Sequence, residues 1–530
     1  MSRVRGKSVL DLSRKPFTRN GDKKMKKRKP FILSCLGVCA CALTVVACST
    51  GETDNFTYEQ TDGGYAVCGV SHYQNGKIEI PATYNGKNVV AIADGAFQDE
   101  ESLVTVVIPD SVQRIGDNAF NSCGKLETVT FGGGVSAFGE SAFQDCTEIK
   151  EIVLPESLEE IGTSAFKGCK SLKELKVPDN VKTVGDTAFV GCEKLESVEI
   201  GDSLEWLGLQ AFAENEGILT VSVSDSAPLA IGTQAFMDCK QLITVDFGGT
   251  VEVGSSAFQG CAKLSEVVLG DECVSIGEKA FASCFHLTGV TVGKSLVSIG
   301  NNAFSSCYTL VEVYNRSTLG FIAGDNGNGK IAQDALYVYK QEGQSRRFKD
   351  ENGVVYYQDG ERVIALGQVG FETGLAIVLH ERTTEVYPMA FYNNLNIASV
   401  TFLENVQKIG KQAFNFCYKL RKIVIGDGVV EIGERAFDRC EILGNVILGA
   451  SVQTVGENAF NRDSYLLSDG NIYYKGTAED FSRIAFADGN SNLTGALKYY
   501  YAETKPAESG NYWYYGELGQ IKIWDFKENT

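Results

Sequence analysis

Apolar positions along this chain follow two nested periods, one of two residues and one of 23. The longer one is marked by fourteen phenylalanines, each preceded by alanine: Phe97, Phe120, Phe143, Phe166, Phe189, Phe212, Phe236, Phe258, Phe281, Phe304, Phe391, Phe414, Phe437 and Phe460. One interval of 24 and one of 22 cancel, and a single gap of 87 separates Phe304 from Phe391. Self-similarity at such a period predicts a solenoid, in which each unit buries its apolar side against its neighbours. Six, nine and eleven residues after the phenylalanine the chain is nearly always Leu, Ile, Val or Phe, as in Leu195, Val198 and Ile200. That alternation predicts one short inward-facing strand per unit, ended by Pro109, Pro155, Pro178 or Gly201. Twelve of the fourteen units carry glycine four residues before the phenylalanine, predicted to hold a backbone conformation that other residues resist. From that glycine onward there is room for a single short helical turn.

The copies running Ile161 to Leu204 and Ile276 to Ile299 share the pattern IGxxAFxxCxxLxxVxIPxxV. The chain thereby resembles the BspA-type bacterial surface leucine-rich-repeat family over residues 89–316 and 385–462. The resemblance implies a curved, parallel-stranded leucine-rich-repeat superhelix, and surface proteins used in adhesion or binding. The expected fold is a repeat solenoid with one short parallel strand and a helical turn per 23-residue unit, interrupted once by a β-containing insert. Expected boundaries are a signal peptide (1–47), an N-terminal linker and β cap (48–88), array one (89–316), an irregular β insert (317–384), array two (385–462) and an aromatic-rich β cap (463–530). Units one, six and eleven replace the cysteine with Glu100, Asn215 and Asn394.

Residues 1–29 hold twelve Lys or Arg against two Asp, and the apolar stretch Phe31 to Ala47 ends in Val45-Val46-Ala47-Cys48. A basic segment, an apolar segment and small residues before a cut describe a secretory signal. Cys48 resembles the lipid-attachment cysteine of a bacterial lipoprotein, which would leave the chain on the outer face of the cell membrane; an uncleaved anchor is the rival reading. Met25 is a plausible alternative start.

Formal charge is −18 for the whole chain. The leader contributes twelve minus two, so the remainder carries about −28. That balance argues against nucleic acid and anionic lipid as partners, leaving contact with a membrane to the lipid anchor. Ten of the sixteen cysteines sit three residues after the repeat phenylalanine, from Cys123 to Cys440. Equivalent positions lie roughly 4.8 Å apart in stacked strands, and the reading is a column of buried thiols rather than a disulfide framework. Cys68 and Cys273 fall outside this register. Three scattered histidines offer no metal site, and no nucleophile carries a local base signature. No cofactor, metal or catalytic residue is therefore expected, and the chain reads as a binding protein rather than an enzyme.

Side chains eight and ten residues after each phenylalanine should face outward. The candidate ligand-facing set is Thr128, Thr130, Glu151, Glu174, Lys176, Ser197, Glu199, Thr220, Ser222, Thr244, Asp246 and Glu266, a polar ribbon for a protein or glycan partner. The plain alternative is that threonine and valine simply suit a wet strand. Tyr512, Trp513, Tyr515 and Trp524 lie in an aromatic C-terminal stretch whose first reading is a β cap and whose sharper one is a glycan-stacking patch. The function expected is a non-catalytic surface binding or adhesion scaffold. A glycan-capturing component of an uptake system and a purely structural envelope protein are the alternatives.

Overall fold

The computed structural model describes residues 55–223, 228–247, 249–370, 372–461 and 470–526. The chain divides into two compact units, 1–47 and 48–530; the leader and Cys48 lie outside the described residues. Within the second unit the chain winds into a stacked β-solenoid. Each coil supplies a front strand of about four residues and a back strand of two. Front strands pair in parallel and in register, so Glu174, Ser197, Thr220, Thr244, Glu266, Gly289, Glu312 and Tyr337 form one column. Back strands such as Glu160–Ile161, Thr183–Val184 and Trp206–Leu207 do the same in a thirteen-stranded sheet. Coil three is irregular: Glu151 to Leu154 alternates exposed and buried without strand pairing, which splits the front into sheets of three and eight strands.

The repeat phenylalanines fill the interior. From Phe97 to Phe304 successive rings stack at 5.0–5.4 Å between centroids, tilted by no more than 15°. From Phe391 to Phe460 they stack at 4.7–5.3 Å. Parallel stacking of this kind adds to the large apolar area each ring buries.

The short helical turn expected in each unit is absent. Among the described residues the only helices are Ala478–Ser482, Ser491–Gly495 and the 3-10 turn Asn328–Lys330. The cause is a backbone that changes hand on either side of each phenylalanine. Ser141 (φ 54°) and Asp145 (φ 59°) flank Phe143, and Ser164 (φ 55°) and Gly168 (φ 76°) flank Phe166. Left-handed residues between right-handed ones stop a helix from propagating. They also turn alternate amides along the stack: Ser141, Phe143 and Asp145 donate to the carbonyls of Thr163, Ala165 and Lys167 at 2.7–2.8 Å. Every second amide that a helix would have used internally joins coils instead, while Gln144 and Cys146 bond within the coil to Ser141 and Phe143.

The repeat glycine also has a different reason from the one expected. Gly162 does not take a positive φ; a Cβ there would sit 2.5 Å from the carbonyl oxygen of Gly139 in the preceding coil. Gly208 and Gly254 meet the backbone of the coil before them in the same way. Glycine is needed for close approach of one coil to the next, not for its torsional freedom.

The expected insert over 317–384 is largely solenoid. Tyr337–Tyr339 extends the front sheet of array one. Val354–Asp359 and Arg362–Gln368 form an antiparallel hairpin, and its second strand pairs in parallel with Thr383–Val386 to begin the back sheet of array two. Leu375–Val378 begins the front sheet of array two. Further on, Asn471–Tyr474 pairs in parallel with both Asn445–Leu448 and Leu497–Tyr501.

Candidate functional site: the outward faces of two arrays

The inward positions of the front strands are sealed, with Leu175, Val177, Val198 and Ile200 no more than 3% exposed. Between them Thr128, Thr130, Glu151, Glu174, Lys176, Glu199, Thr220, Ser222, Thr244 and Glu266 are exposed and Ser197 is half-buried. Asp246 lies in the same strand register, though its side chain is outside the described set. The result is one polar ribbon with carboxylates and hydroxyls in columns. Lys176 stands 3.9 Å from Glu199, both well exposed, so the pair adds little stability.

At the end of array one the ribbon is closed, which the alternation alone did not foretell. Glu312 occupies an outward position yet is 1% exposed. The strand Arg347–Lys349 crosses above it. Arg347 donates to Glu312 at 2.9 Å, to Glu266 at 2.8 Å and to the Thr288 hydroxyl at 3.0 Å. The Ser345 hydroxyl and the Arg346 amide complete the Glu312 carboxylate at 2.8 and 2.6 Å. Gly289 makes room, since a Cβ there would lie 2.3 Å from the Arg347 guanidinium. Glu266 is thus engaged from within the chain, and the open ribbon runs from Thr128 to Thr244. A small core of Val311, Val355, Tyr357, Ile364 and Leu366 anchors the junction.

The junction also holds the one buried histidine among the described residues. His286, in coil nine, reaches across 106 residues of sequence to the Tyr392 carbonyl at 2.8 Å. Burial, with Lys263 nearby, holds its pKa down at about 4.

The thiol column is present and has a specific bond. Cys146 Sγ donates to the Phe120 carbonyl at 3.2 Å and Cys192 to Phe166 at 3.4 Å, always to the phenylalanine one coil back. Asn215 makes the same bond to Phe189 at 2.8 Å. Asn394, with no repeat phenylalanine behind it, turns to Gln368 instead. Burial pushes the Cys192 and Cys417 thiols up to about 12. Cys68 and Cys273 are not bridged to each other.

In the C-terminal stretch, Trp513 is wholly buried and its indole N–H donates to the Tyr474 carbonyl at 3.0 Å. Trp524 donates to Ala502 at 2.8 Å and stacks on Tyr514 at 4.1 Å. Trp513 therefore covers the protein's own sheet and leaves the stacking set, whereas Trp524 is half-buried. Tyr512 is half-buried and Tyr515 exposed.

Sequence reasoning passed over a third surface, formed by the turns that carry the phenylalanines. Four residues beyond the ring, most units of array one place a small or charged residue, such as Gly124, Thr147, Lys170 or Lys240. The coils flanking the junction place Phe285, Tyr308 and Tyr418 there, and Phe416 stands two residues beyond its ring. Reading that column unit by unit would have exposed the anomaly.

Parallel stacking of coils that each carry one longer front strand and one short back strand, on a 23-residue repeat, defines a leucine-rich-repeat solenoid. A sequence profile for the BspA type leucine rich repeat region matches residues 90–219, 216–325 and 376–494 in six copies. The chain belongs to that family. No curated protein matches it. Among solved structures, it is similar to a leucine-rich repeat protein from Bacteroides ovatus at 24% identity, with 83% of this chain and 100% of that one covered (TM-score 0.44). The T. pallidum leucine rich repeat protein is 27% identical over 41% of this chain and 91% of its own (TM-score 0.33). A leucine rich cell surface protein from Faecalibacterium prausnitzii is 21% identical over 82% and 97% (TM-score 0.27).

Proposed function

We propose that this protein is a non-catalytic binding scaffold at a bacterial cell surface, tethered through lipid on Cys48. Its open ribbon takes a protein partner. The observation carrying this reading is the in-register column of outward polar side chains Glu174, Ser197, Thr220 and Thr244, exposed except for the half-buried Ser197. A flat strip of hydroxyls and carboxylates offers many hydrogen bonds and few aromatic anchors. It suits an extended partner held by repeated modest contacts and strengthened by many copies on one cell. The tether is supported by Val45-Val46-Ala47-Cys48. No helix among the described residues is long and apolar enough to cross a membrane.

Two measurements test the proposal. Radiolabelled palmitate should enter the wild-type chain and not Cys48→Ala; equal labelling of both removes the tether. Capture of surface proteins from neighbouring or host cells should fall at least tenfold with Glu174→Arg plus Thr220→Arg. Unchanged capture by a chain that still melts normally excludes the ribbon. Glycan capture is the second reading, favoured by the aromatic turn surface at the junction.

A further inference from the structure

The aromatic residues displaced into the turns at the junction meet one another. Phe285 lies 5.0 Å from Tyr392 between ring centroids, Tyr392 lies 5.5 Å from Phe416, and Phe416 lies 6.0 Å from Tyr418. All four are half-buried, and the Arg439 guanidinium stacks over Phe416 at 4.9 Å. A continuous aromatic surface thus spans the last coils of array one and the first of array two. The register position Tyr392 occupies, directly after the repeat phenylalanine, is filled in the next two coils by Asn415 and Asp438. These are only 2% and 8% exposed, and the Oδ1 atom of each has no donor. Burial raises the Asp438 carboxyl against the pull of Arg439 and Arg435.

We propose that this junction surface binds a neutral glycan chain. Sugar rings present an apolar C–H face, which half-exposed aromatic rings accept, and a rim of hydroxyl donors, which buried acceptors without partners require. The Arg439 guanidinium adds donors at the edge. The strongly negative chain disfavours an acidic saccharide. The inference rests on the reading of the protein as a binding scaffold, but it uses a different face from the ribbon.

The test is binding of the intact protein to immobilised hexasaccharides of glucose, mannose, galactose and N-acetylglucosamine, with oligogalacturonate as the acidic arm. At least one neutral chain should bind. Tyr418→Ala and Phe416→Gly should each weaken it about tenfold or more with the melting temperature kept; glycine is at ease at the φ of 64° that Phe416 holds. Asp438→Asn, which keeps the shape and removes one acceptor, should weaken it about threefold. No neutral binding, a preference for oligogalacturonate, or affinity untouched by both ring variants overturns the inference. Protein capture that is lost with Thr220→Arg and indifferent to Phe416→Gly would leave the proposed function standing whatever the glycan result.

Discussion

The front faces of the two arrays share one coil geometry and have opposite fates. In array one the outward column reads Lys176, Glu199, Ser222, then Val268 and Thr291, and it stays open until Arg347 closes its end. In array two the corresponding column reads Thr401, Val424, Ile447, Tyr473 and Tyr499, growing more apolar toward the C-terminus. There Ile447, Tyr473 and Trp513 form a buried cluster on the outside of the sheet. Tyr512–Tyr515 and Ile521–Ile523 supply the cover as the final strands. The interior of a coil dictates only its inward residues. Whether the outside meets solvent, a partner or the chain itself is written in the residues between them.

That contrast can be broken at its strongest points first. Phe166→Ala and Trp513→Ala should each cost about 3–5 kcal/mol, but in different places. The first should speed hydrogen exchange in the coils around Phe143 and Phe189; the second should do so in Ile447 to Tyr499 and leave array one protected. A loss under ~1 kcal/mol in urea melts for either would mean that the ring is not core. Next in size is the junction. His286 titrates near 4 in the folded chain, below the 6.5 of an ordinary histidine. Above 6.5 it is neutral in both states and contributes no pH dependence. As the pH falls from 6.5 to 4 the unfolded chain binds the proton first, so stability drops by on the order of 3 kcal/mol. His286→Gln should flatten the melting profile in that window, and a parallel loss in both proteins would assign it elsewhere. Smallest is Thr220→Arg, expected to shift stability by less than about 0.5 kcal/mol. A larger shift would show that the ribbon is structural rather than free.

The period made the interior legible. The phenylalanine stack, the thiol column and the inward alternation each follow from residues returning at one spacing, and Asn215 could be placed in the cysteine slot before its bond was seen. The turn conformation was not legible, because Ser141, Ser164 and Asp145 carry no obvious mark of a left-handed backbone. Coil-to-coil amide bonds decide it, and they are a property of the stack rather than the unit. Nor does alternation register contacts from afar. Glu312 and Gly289 look outward in sequence and are covered by a strand more than thirty residues later. Trp513 looked available for stacking and is sealed by the sheet it caps. Phe285, Tyr308, Phe416 and Tyr418 were visible as departures from a column, but only their convergence at the junction gives them meaning.

Each thiol that donates to the carbonyl one coil behind it is buried, out of reach of reagent, and burial pushes those of Cys192 and Cys417 up to about 12. A still unwound chain has neither protection, and its ten repeat sulfhydryls would be open to random cross-linking by any oxidant present. Winding must therefore outrun oxidation, and an early error in coil order would be trapped covalently. The unwound chain is the vulnerable state; once wound, it carries its cysteines inertly.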